Sequence, residues 1–405
     1  MTANVRTKFS AADSALGYLY QCGYALLAAL ERLSRGDDFA LYLETLDDVV
    51  FVHDGRPDEI LQTKCTRQRE ASLTDASEDL WKTLRIWIET PATDGAHEGR
   101  SLFLVTTATA GPSSAASHLR CRHRDVDAAL ARLVATVQSS TSKRNYQAYA
   151  AFRALPEESA RALLNTVFVL DSAATVEDLD NLIYTKIRPV ASPRFREPVL
   201  DQLLGWWLRQ VVRHLAQGSP TLQPLARAAD IEDQISVLRE QFRLENLPID
   251  EELKEANVDP AIYADRAFMR QLGLIAVGPR RRLIAAQNYF RASEQRSRWI
   301  STDLCQVGEL GRYDRRLIEE WTIHFEQERE RLASDADEAA RTGTGKRVYE
   351  WAETASIPIR RDCIEPFITR GSYHLLADDE QNGPPVGWHP NYRERLGTGS
   401  GEQHR

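Results

Sequence analysis

The sequence lacks several features that mark large classes of protein. No apolar run approaches the roughly 18 residues that a membrane-spanning helix needs. The first residues contain no apolar core of the kind found in secretory signal peptides. The five cysteines are scattered and form no CxxC or Cys/His cluster, so a zinc site is not indicated. These absences predict a cytoplasmic protein with reduced thiols and no membrane segment.

An excess of positive charge is also missing. The chain has 51 Lys and Arg residues against 59 Asp and Glu residues, for a net charge of −8. An extended surface for non-specific nucleic-acid binding would be basic. A DNA-cutting enzyme needs only a local basic path, so this class is not excluded. We expect oligomerisation or a partner to complete any DNA channel.

The most informative pattern lies in residues 44–64, which read ETLDDVVFVHDGRPDEILQTK. Two short apolar runs flank a polar turn, as is typical of a β-hairpin. Residues i and i+2 of a strand share a face, so Gln62 and Lys64 project together. If the two runs pair, Asp48 at the start of the first faces these two residues at the end of the second.

These three residue types suit one kind of chemistry. A carboxylate and an amide oxygen can hold Mg²⁺, with Mn²⁺ as a substitute, and the metal can position a water for phosphodiester hydrolysis. We therefore predict Asp48 and Gln62 as metal ligands and Lys64 as the group that stabilises charge on the attacked phosphate. Because Gln62 adds no charge, metal affinity should be weak until a DNA phosphate completes the coordination shell.

The acidic ligand has alternatives. Asp47 and Asp48 are adjacent in a strand and point to opposite faces, so only one of them can easily bind the metal. Asp48 shares the parity of Val50 and is favoured, although a pair of aspartates is also natural in a turn. Glu44 lies about 13 Å from Asp48 along a straight strand. It contributes only if the chain bends between them.

The flanking segments add further candidates. Apolar spacing predicts a helix over residues 11–33, with Gln21 beside its apolar face. A strand is expected at residues 39–46, before the hairpin. A second helix ends at residue 89 and presents Lys82 and Arg85, our candidate DNA contacts, on its outer face. A buried strand over residues 101–107 follows.

In this order the elements resemble the PD-(D/E)xK nuclease superfamily in its D…QxK variant. Residues 15–21 resemble the helix with a conserved Gln that opens the Cap-type effector nucleases of bacterial anti-phage systems. The resemblance implies an α/β restriction-endonuclease-like domain over residues 1–190, with its core at about 11–110. It also implies that Gln21 lies beside the metal site.

The second half is expected to be different. A proline-rich stretch at residues 189–198 predicts a boundary, followed by a mainly α-helical domain over residues 195–395 and a flexible tail over residues 396–405. Residues 341–346, RTGTGK, lack phosphate-loop spacing and are predicted to be a flexible loop between helices. Three motifs resemble the C-terminal region of effector subunits in ABC-three-component systems, including Lamassu-type nuclease subunits: Leu204-Gly205-Trp206-Trp207, Gly371-Ser372-Tyr373-His374 and Val386-Gly387-Trp388-His389-Pro390.

Together these resemblances imply a metal-dependent DNA endonuclease effector of bacterial anti-phage defence. Its expected partners are double-stranded DNA, an SMC/ABC-type ATPase and a small third subunit. The two subunits would restrain it until foreign DNA is sensed, and it would then act as a homo-oligomer. Two alternatives stay open: a non-catalytic scaffold with a nuclease fold that binds DNA or partners, and a nuclease gated directly by a cyclic nucleotide.

Overall fold

The computed structural model describes residues 11–43, 48–54, 56–65, 71–90, 100–216, 223–379 and 383–396. For residues 11–14 and Asp48 it describes the backbone only. The chain divides into two compact units, Met1–Leu238 and Arg239–Arg405.

The first unit combines a mixed sheet with helices. Its described strands are β1 (Ala40–Leu43), β2 (Asp48–His53), β3 (Arg56–Lys64), β4 (Ser72–Leu73), β5 (Ser101–Thr106), β6 (Thr109–Ala110), β7 (Val167–Leu170) and β8 (Ala226–Arg227). Its described helices are α1 (Ala11–Leu33), α2 (Glu78–Glu89), α3 (Ala115–His118), α4 (Val126–Ser139), α5 (Tyr146–Ala154), α6 (Glu157–Thr166), α7 (Val176–Ile187), α8 (Arg196–Ala216) and α9 (Ala228–Gln241), the last of which runs across the unit boundary.

The main sheet has the order β7-β5-β3-β2-β1-β8. Strands β1, β2 and β3 are antiparallel, with Asp54 in the β2–β3 turn at a φ of 47° that aspartate tolerates better than most residues. Strands β3, β5 and β7 are parallel, and parallel neighbours need a crossover connection. Helix α2 lies in the first crossover and helices α3 to α6 in the second. Strand β3 is therefore central, between an antiparallel and a parallel neighbour.

Apolar helix faces cover this sheet. Trp81 of α2 is fully buried, and its ring makes edge-to-face contacts with Tyr149 at 4.6 Å and Phe152 at 5.5 Å. Aromatic pairs in this geometry add to the free energy of burial. Elsewhere in the unit, the buried indole of Trp207 donates to the carbonyl of Cys22 at 2.8 Å, which joins α8 to α1.

The segment after the proline-rich stretch departs from the predicted organisation. Helix α8 belongs to the first compact unit, and the chain then returns to the sheet, where β8 pairs with β1. The predicted plan of a restriction-endonuclease-like domain followed by a separate helical domain is corrected in this respect. The physical reason is the long-range contact of Trp207 and β8, which no local sequence pattern records. By contrast, α1, β2 and β5 lie where the sequence pattern predicts them.

The second unit is helical in the part of the chain described. Its helices are α10 (Glu251–Lys254), α11 (Ala267–Leu274), α12 (Pro279–Ser301), α13 (Glu309–Glu330), α14 (Glu338–Thr354), α15 (Pro366–Leu376) and α16 (Tyr392–Leu396). Helices α12 and α15 cross at Gly371, where an added Cβ would lie 2.0 Å from the carbonyl oxygen of Asn288 and 2.4 Å from Cβ of Ala292. Only glycine lets the two backbones approach this closely.

Gly345, within residues 341–346, also serves packing. This stretch was predicted to be a flexible loop, and that prediction is wrong, because the residues lie inside α14. A Cβ on Gly345 would lie 2.4 Å from the Ile275 side chain and 3.1 Å from the carbonyl oxygen of Trp388. The sequence pattern was misleading because a glycine required for close helix packing looks the same as a glycine required for a turn.

Burial of His374 predicts a pH-dependent stability of the second unit. Its ring lies among the aromatic rings of Phe268, Tyr349 and Trp388 at centroid distances of 5.4 to 6.0 Å, and burial lowers its pKa to about 3. The unfolded chain binds a proton near pH 6.5 and the folded chain does not, so this histidine lowers stability progressively as the pH falls below 6.5.

We expect urea unfolding of the wild type to lose up to about 1.4 kcal/mol per pH unit more than His374→Phe between pH 6.5 and 4.5. Phenylalanine suits the aromatic surroundings and cannot titrate. Identical pH dependence of the two unfolding free energies would show that His374 is not held neutral.

Candidate functional site

The β2–β3 hairpin brings the predicted hydrolytic residues into register. The Cα atoms of Asp48 and Gln62 are direct partners across the antiparallel pair. On the other side of β3, Gln62 pairs with Leu104 and Lys64 with Thr106 of β5. Directly opposed residues of an antiparallel pair share a face of the sheet. The hairpin that the sequence predicts is therefore present, with Asp48 at the register position we expected.

Polar side chains occupy the buried end of β3. Gln62 is 0% exposed and Lys64 is 9% exposed. A central strand covered on both faces is normally apolar throughout, so an amide and an amine here are unusual. Burying such groups costs free energy unless they are compensated by polar contacts. Polar residues buried this deeply are more characteristic of a catalytic or binding site than of an apolar core.

Helix α1 is held against β3 by an ion pair. The guanidinium of Arg32 lies 3.2 Å from a carboxylate oxygen of Asp58 and 2.7 Å from one of Glu59. Gln21 lies about 16 Å back along the helix from Arg32. Lys64 lies about 16 Å along the strand from Glu59. If the two elements run antiparallel, these equal distances bring Gln21 to the level of Lys64.

The neighbour of Gln21 supports this arrangement. Burial raises the pKa of Tyr20, and the nearby groups that add to the shift are Tyr24 and Cys65, the residue after Lys64. Both Tyr20 and Gln21 are buried, and the Tyr20 hydroxyl and the Gln21 side-chain nitrogen have no hydrogen-bond partner within the described part of the chain. Buried polar atoms of this kind are often reserved for a ligand or for catalysis. These contacts place α1 along β3 through Glu59 and Cys65, and the role of Gln21 beside the metal site stays a prediction.

The remaining predicted residues fall into two groups. Glu44 and Asp47 lie outside the described residues, as does the side chain of Asp48. The two candidate DNA contacts lie on α2, where Lys82 is exposed. The guanidinium of Arg85 donates to the side-chain oxygen of Gln147 and lies 3.6 Å from Glu89. Arg85 is thus already engaged within the protein.

The structure adds a basic loop that our reading of the sequence missed. Residues 118–124, HLRCRHR, contain three arginines and two histidines. They lie between α3 and α4, and Arg120 is bonded to Asp171, directly after the last residue of β7. The cluster of like charges was a readable signal, and it was overlooked because the chain as a whole is acidic.

The donor set is compatible with a divalent metal, although few acidic groups are present. Within the described ranges, no three His, Cys, Asp or Glu side chains are grouped so that they could hold a metal ion. Gln62 supplies a buried amide oxygen, and Asp48 is its register partner. Mg²⁺ commonly takes one or two protein oxygens and completes its shell with water and substrate phosphate. Gln62 and its register partner Asp48 fit such a weakly held ion.

Comparison with known proteins identifies the C-terminal region. Residues 268–396 match the family model for C-terminal domain 7 of the ABC-three component (ABC-3C) systems. This match covers less than half of the chain, and it shows that the C-terminal region is similar to that domain. This ABC-three component domain contains two of the three motifs that we compared with such effectors, those around Gly371 and Trp388. The narrower resemblance to Lamassu-type nuclease subunits stays a prediction.

Solved structures that resemble the chain include SAVED/CARF-domain containing receptors. Cap4 of Moraxella osloensis is 16% identical, with 64% of this chain and 60% of that chain covered and a TM-score of 0.35. Cap4 of Acinetobacter baumannii with the cyclic trinucleotide 2'3'3'-cAAA is 12% identical, with 68% and 59% covered and a TM-score of 0.31. The chain thus spans about 60% of the length of these receptors. No curated protein matches the sequence.

The predicted fold class is wrong. We expected a PD-(D/E)xK restriction-endonuclease-like domain, and the comparisons name SAVED/CARF-domain receptors instead. The error has a physical origin. A helix, a hairpin with three polar residues and a second helix form a local pattern, whereas a fold is defined by pairings between distant segments, here β7 on β5 and β8 on β1.

None of the helices in the described part of the chain is long and apolar enough to cross a membrane.

Proposed function

We propose that this chain is a metal-dependent DNA endonuclease that acts as an effector in an ABC-three-component anti-phage complex. The observation that carries the proposal is the register of the β2–β3 hairpin. It sets Asp48 opposite the fully buried Gln62, with the buried Lys64 two residues further along the same strand. The proposal concerns the chemistry of this hairpin and does not depend on a fold family.

Each residue has a definite role. Asp48 and Gln62 would hold Mg²⁺, which supplies Lewis-acid stabilisation of the phosphate and a positioned water when bound. Lys64 places a positive charge where negative charge develops on the phosphorus oxygens, and its burial strengthens that interaction. Gln21 fixes the orientation of the water or of the neighbouring phosphate through its unpaired amide nitrogen.

The second unit would act as the docking module for partner subunits. Its family match supports a place in a multi-component system. In the proposed resting state, an SMC/ABC-type ATPase and a small third subunit restrain the nuclease. Release and self-association would then bring several active sites onto double-stranded DNA. The net charge of −8 supports this arrangement because a single subunit has little general attraction for DNA.

Metal dependence tests the proposal. We expect the purified chain to cut supercoiled plasmid in Mg²⁺ or Mn²⁺ and to lose this activity in EDTA, because oxygen ligands suit these ions. Zn²⁺ should not restore cutting. Adding the two partner subunits should suppress cutting until the trigger is supplied. Cutting that persists in EDTA would contradict the mechanism, and DNA binding without any metal-dependent cutting would favour a non-catalytic scaffold.

Direct gating by a cyclic nucleotide is the second candidate. The comparisons name receptors, one of them solved with a cyclic trinucleotide, and so agree better with gating than with restraint by partners alone. Likenesses with TM-scores of 0.31 to 0.35 are too weak to decide the matter. The same plasmid assay separates the two candidates. Stimulation of the isolated chain by cyclic trinucleotides supports gating, whereas unchanged cutting across the titration supports restraint by partners.

A further inference from the structure

Residues 118–124, the basic loop between α3 and α4, form a positively charged surface on an otherwise acidic protein. Cys121, Arg122 and His123 are exposed. No ion pair engages Arg122 within the described part of the chain, whereas many other arginines of this protein lie beside a carboxylate. A guanidinium left in this state is available for an anionic ligand.

Two other arginines fix the loop in place. Arg120 donates to both carboxylate oxygens of Asp171, at 2.8 and 2.5 Å, and to the carbonyl of Ala110 at 3.0 Å. The pair also lowers the pKa of Asp171. Arg124 donates to the carbonyls of Leu119 and Leu164 at 3.0 and 2.6 Å. A loop anchored at both ends loses little conformational entropy when Arg122 and His123 bind a ligand.

The anchors also place the loop relative to the candidate site. Strand β7 ends at Leu170, whose register partner in β5 is Val105, and Val105 in turn pairs with Thr63 of β3. Asp171 therefore lies at the same end of the parallel strands as Lys64, two strands away across the sheet. At about 4.8 Å between neighbouring strands, the separation across the sheet is about 10 Å. The anchor of the basic loop and the proposed hydrolytic residues thus lie at the same end of the parallel strands.

We propose that the basic loop binds the phosphate backbone of DNA beside the cleaved bond, with Arg122 and His123 making the contacts. This inference rests on the proposed function, and it adds the residues that hold the substrate strand. DNA is favoured over an acidic protein partner because the loop is anchored at the same end of the parallel strands as the hydrolytic residues. A DNA strand rises 3.4 Å per nucleotide, so the roughly 10 Å across the sheet between Lys64 and Asp171, which anchors the loop, corresponds to only a few nucleotides.

The test is the salt dependence of DNA binding by the full-length chain. Labelled duplex is titrated in EDTA, where the proposed cleavage cannot proceed, at several salt concentrations between 50 and 200 mM. Arg122→Gln should lower the slope of log K against log salt by about 1, because one phosphate contact is lost. The affinity loss over this salt range should then be about 3-fold smaller than in the wild type.

Arg132→Gln is the matched control. Arg132 is an exposed arginine on α4, and its replacement changes the net charge by the same amount as Arg122→Gln. We expect its slope to equal that of the wild type. Equal slopes for all three proteins, or equal reductions in both variants, would overturn the role of the basic loop while leaving the proposed function intact.

Two further outcomes separate the inference from the proposed function. A wild-type chain that binds no DNA at any salt concentration would overturn both. A variant Arg122→Gln that keeps its DNA slope and loses binding to a partner subunit would assign the loop to a protein interface and overturn the inference alone.

Discussion

Replacing Lys64 by methionine is expected to lower the rate of plasmid cleavage by about 10²- to 10³-fold, which is the usual effect of removing one preorganised charge from a transition state. Lys64 is 9% exposed, so its amine acts in surroundings of low polarity where its interaction with a phosphate is strong. Methionine keeps an unbranched chain of similar length and removes only the charge. The variant should therefore keep its fold.

Thr63→Val is the matched control, because it changes a buried side chain of β3 without changing the charge. We expect this variant to cut plasmid at a rate close to that of the wild type. Thermal unfolding of both variants shows whether the sheet is intact. A Lys64→Met protein that melts like the wild type and cuts at the wild-type rate would remove Lys64 from the mechanism.

Replacing Gly371 by alanine should destabilise the second unit by at least about 1–3 kcal/mol, the usual range for overpacking a core. The added Cβ would lie 2.0 Å from the carbonyl oxygen of Asn288 and 2.4 Å from Cβ of Ala292, so α12 and α15 must move apart. Each kcal/mol corresponds to a shift in Tm of about 2–4 °C for a unit of this size. The expected result is a clear fall in Tm and loss of partner binding.

Gly343→Ala provides the control for this experiment. Gly343 also lies in a helix, α14, and the atom nearest to its added Cβ is a side-chain nitrogen of Arg347 at 3.8 Å. An unobstructed glycine in a helix is less stable than alanine by about 0.5–1 kcal/mol, so this variant should unfold at a higher temperature. Equal changes of Tm in both variants would contradict the close crossing of α12 and α15.

The sequence predicted local structure well where periodicity was strong. The helix over residues 11–33 and the strand beginning at Asp48 have the bounds that their apolar patterns indicate. Asp48 and Gln62 were expected to face each other at the open end of the hairpin, and they are direct partners there, beyond a register shift between Phe51 and Val52. Such features depend on neighbours in the chain, which a single sequence records.

The features that were missed depend on distant contacts. Position 345 of α14 requires glycine because Ile275 and Trp388 leave no room for a side chain. Neither of these residues is near Gly345 in the sequence. The anchoring of Arg120 by Asp171 likewise joins residues separated by three helices, α4 to α6, and strand β7. Trp207 was assigned to the C-terminal domain, although its indole bonds to Cys22 in the first unit. A single sequence gives no signal for these pairs, and the fold class failed for the same reason.

The motif around Trp388 illustrates a related limit. Trp388 is fully buried, and Gly387 before it leaves room for the ring of Tyr392, which a Cβ would approach to 2.1 Å. These motif residues build the core of the second unit. Any surface that docks a partner must therefore consist of other residues.

Catalysis by the β2–β3 hairpin is the central claim, and Asp48→Asn tests it most directly. Asparagine has nearly the same shape and removes the carboxylate charge that the proposed metal requires. The measurement is cleavage of supercoiled plasmid across a Mg²⁺ titration. The rates of wild type and variant are compared after thermal unfolding shows that the two proteins have the same Tm. We expect the wild type to cut with a saturable dependence on Mg²⁺ and Asp48→Asn to lose at least about 10²-fold in rate. Equal rates for the two proteins at every Mg²⁺ concentration would contradict the account.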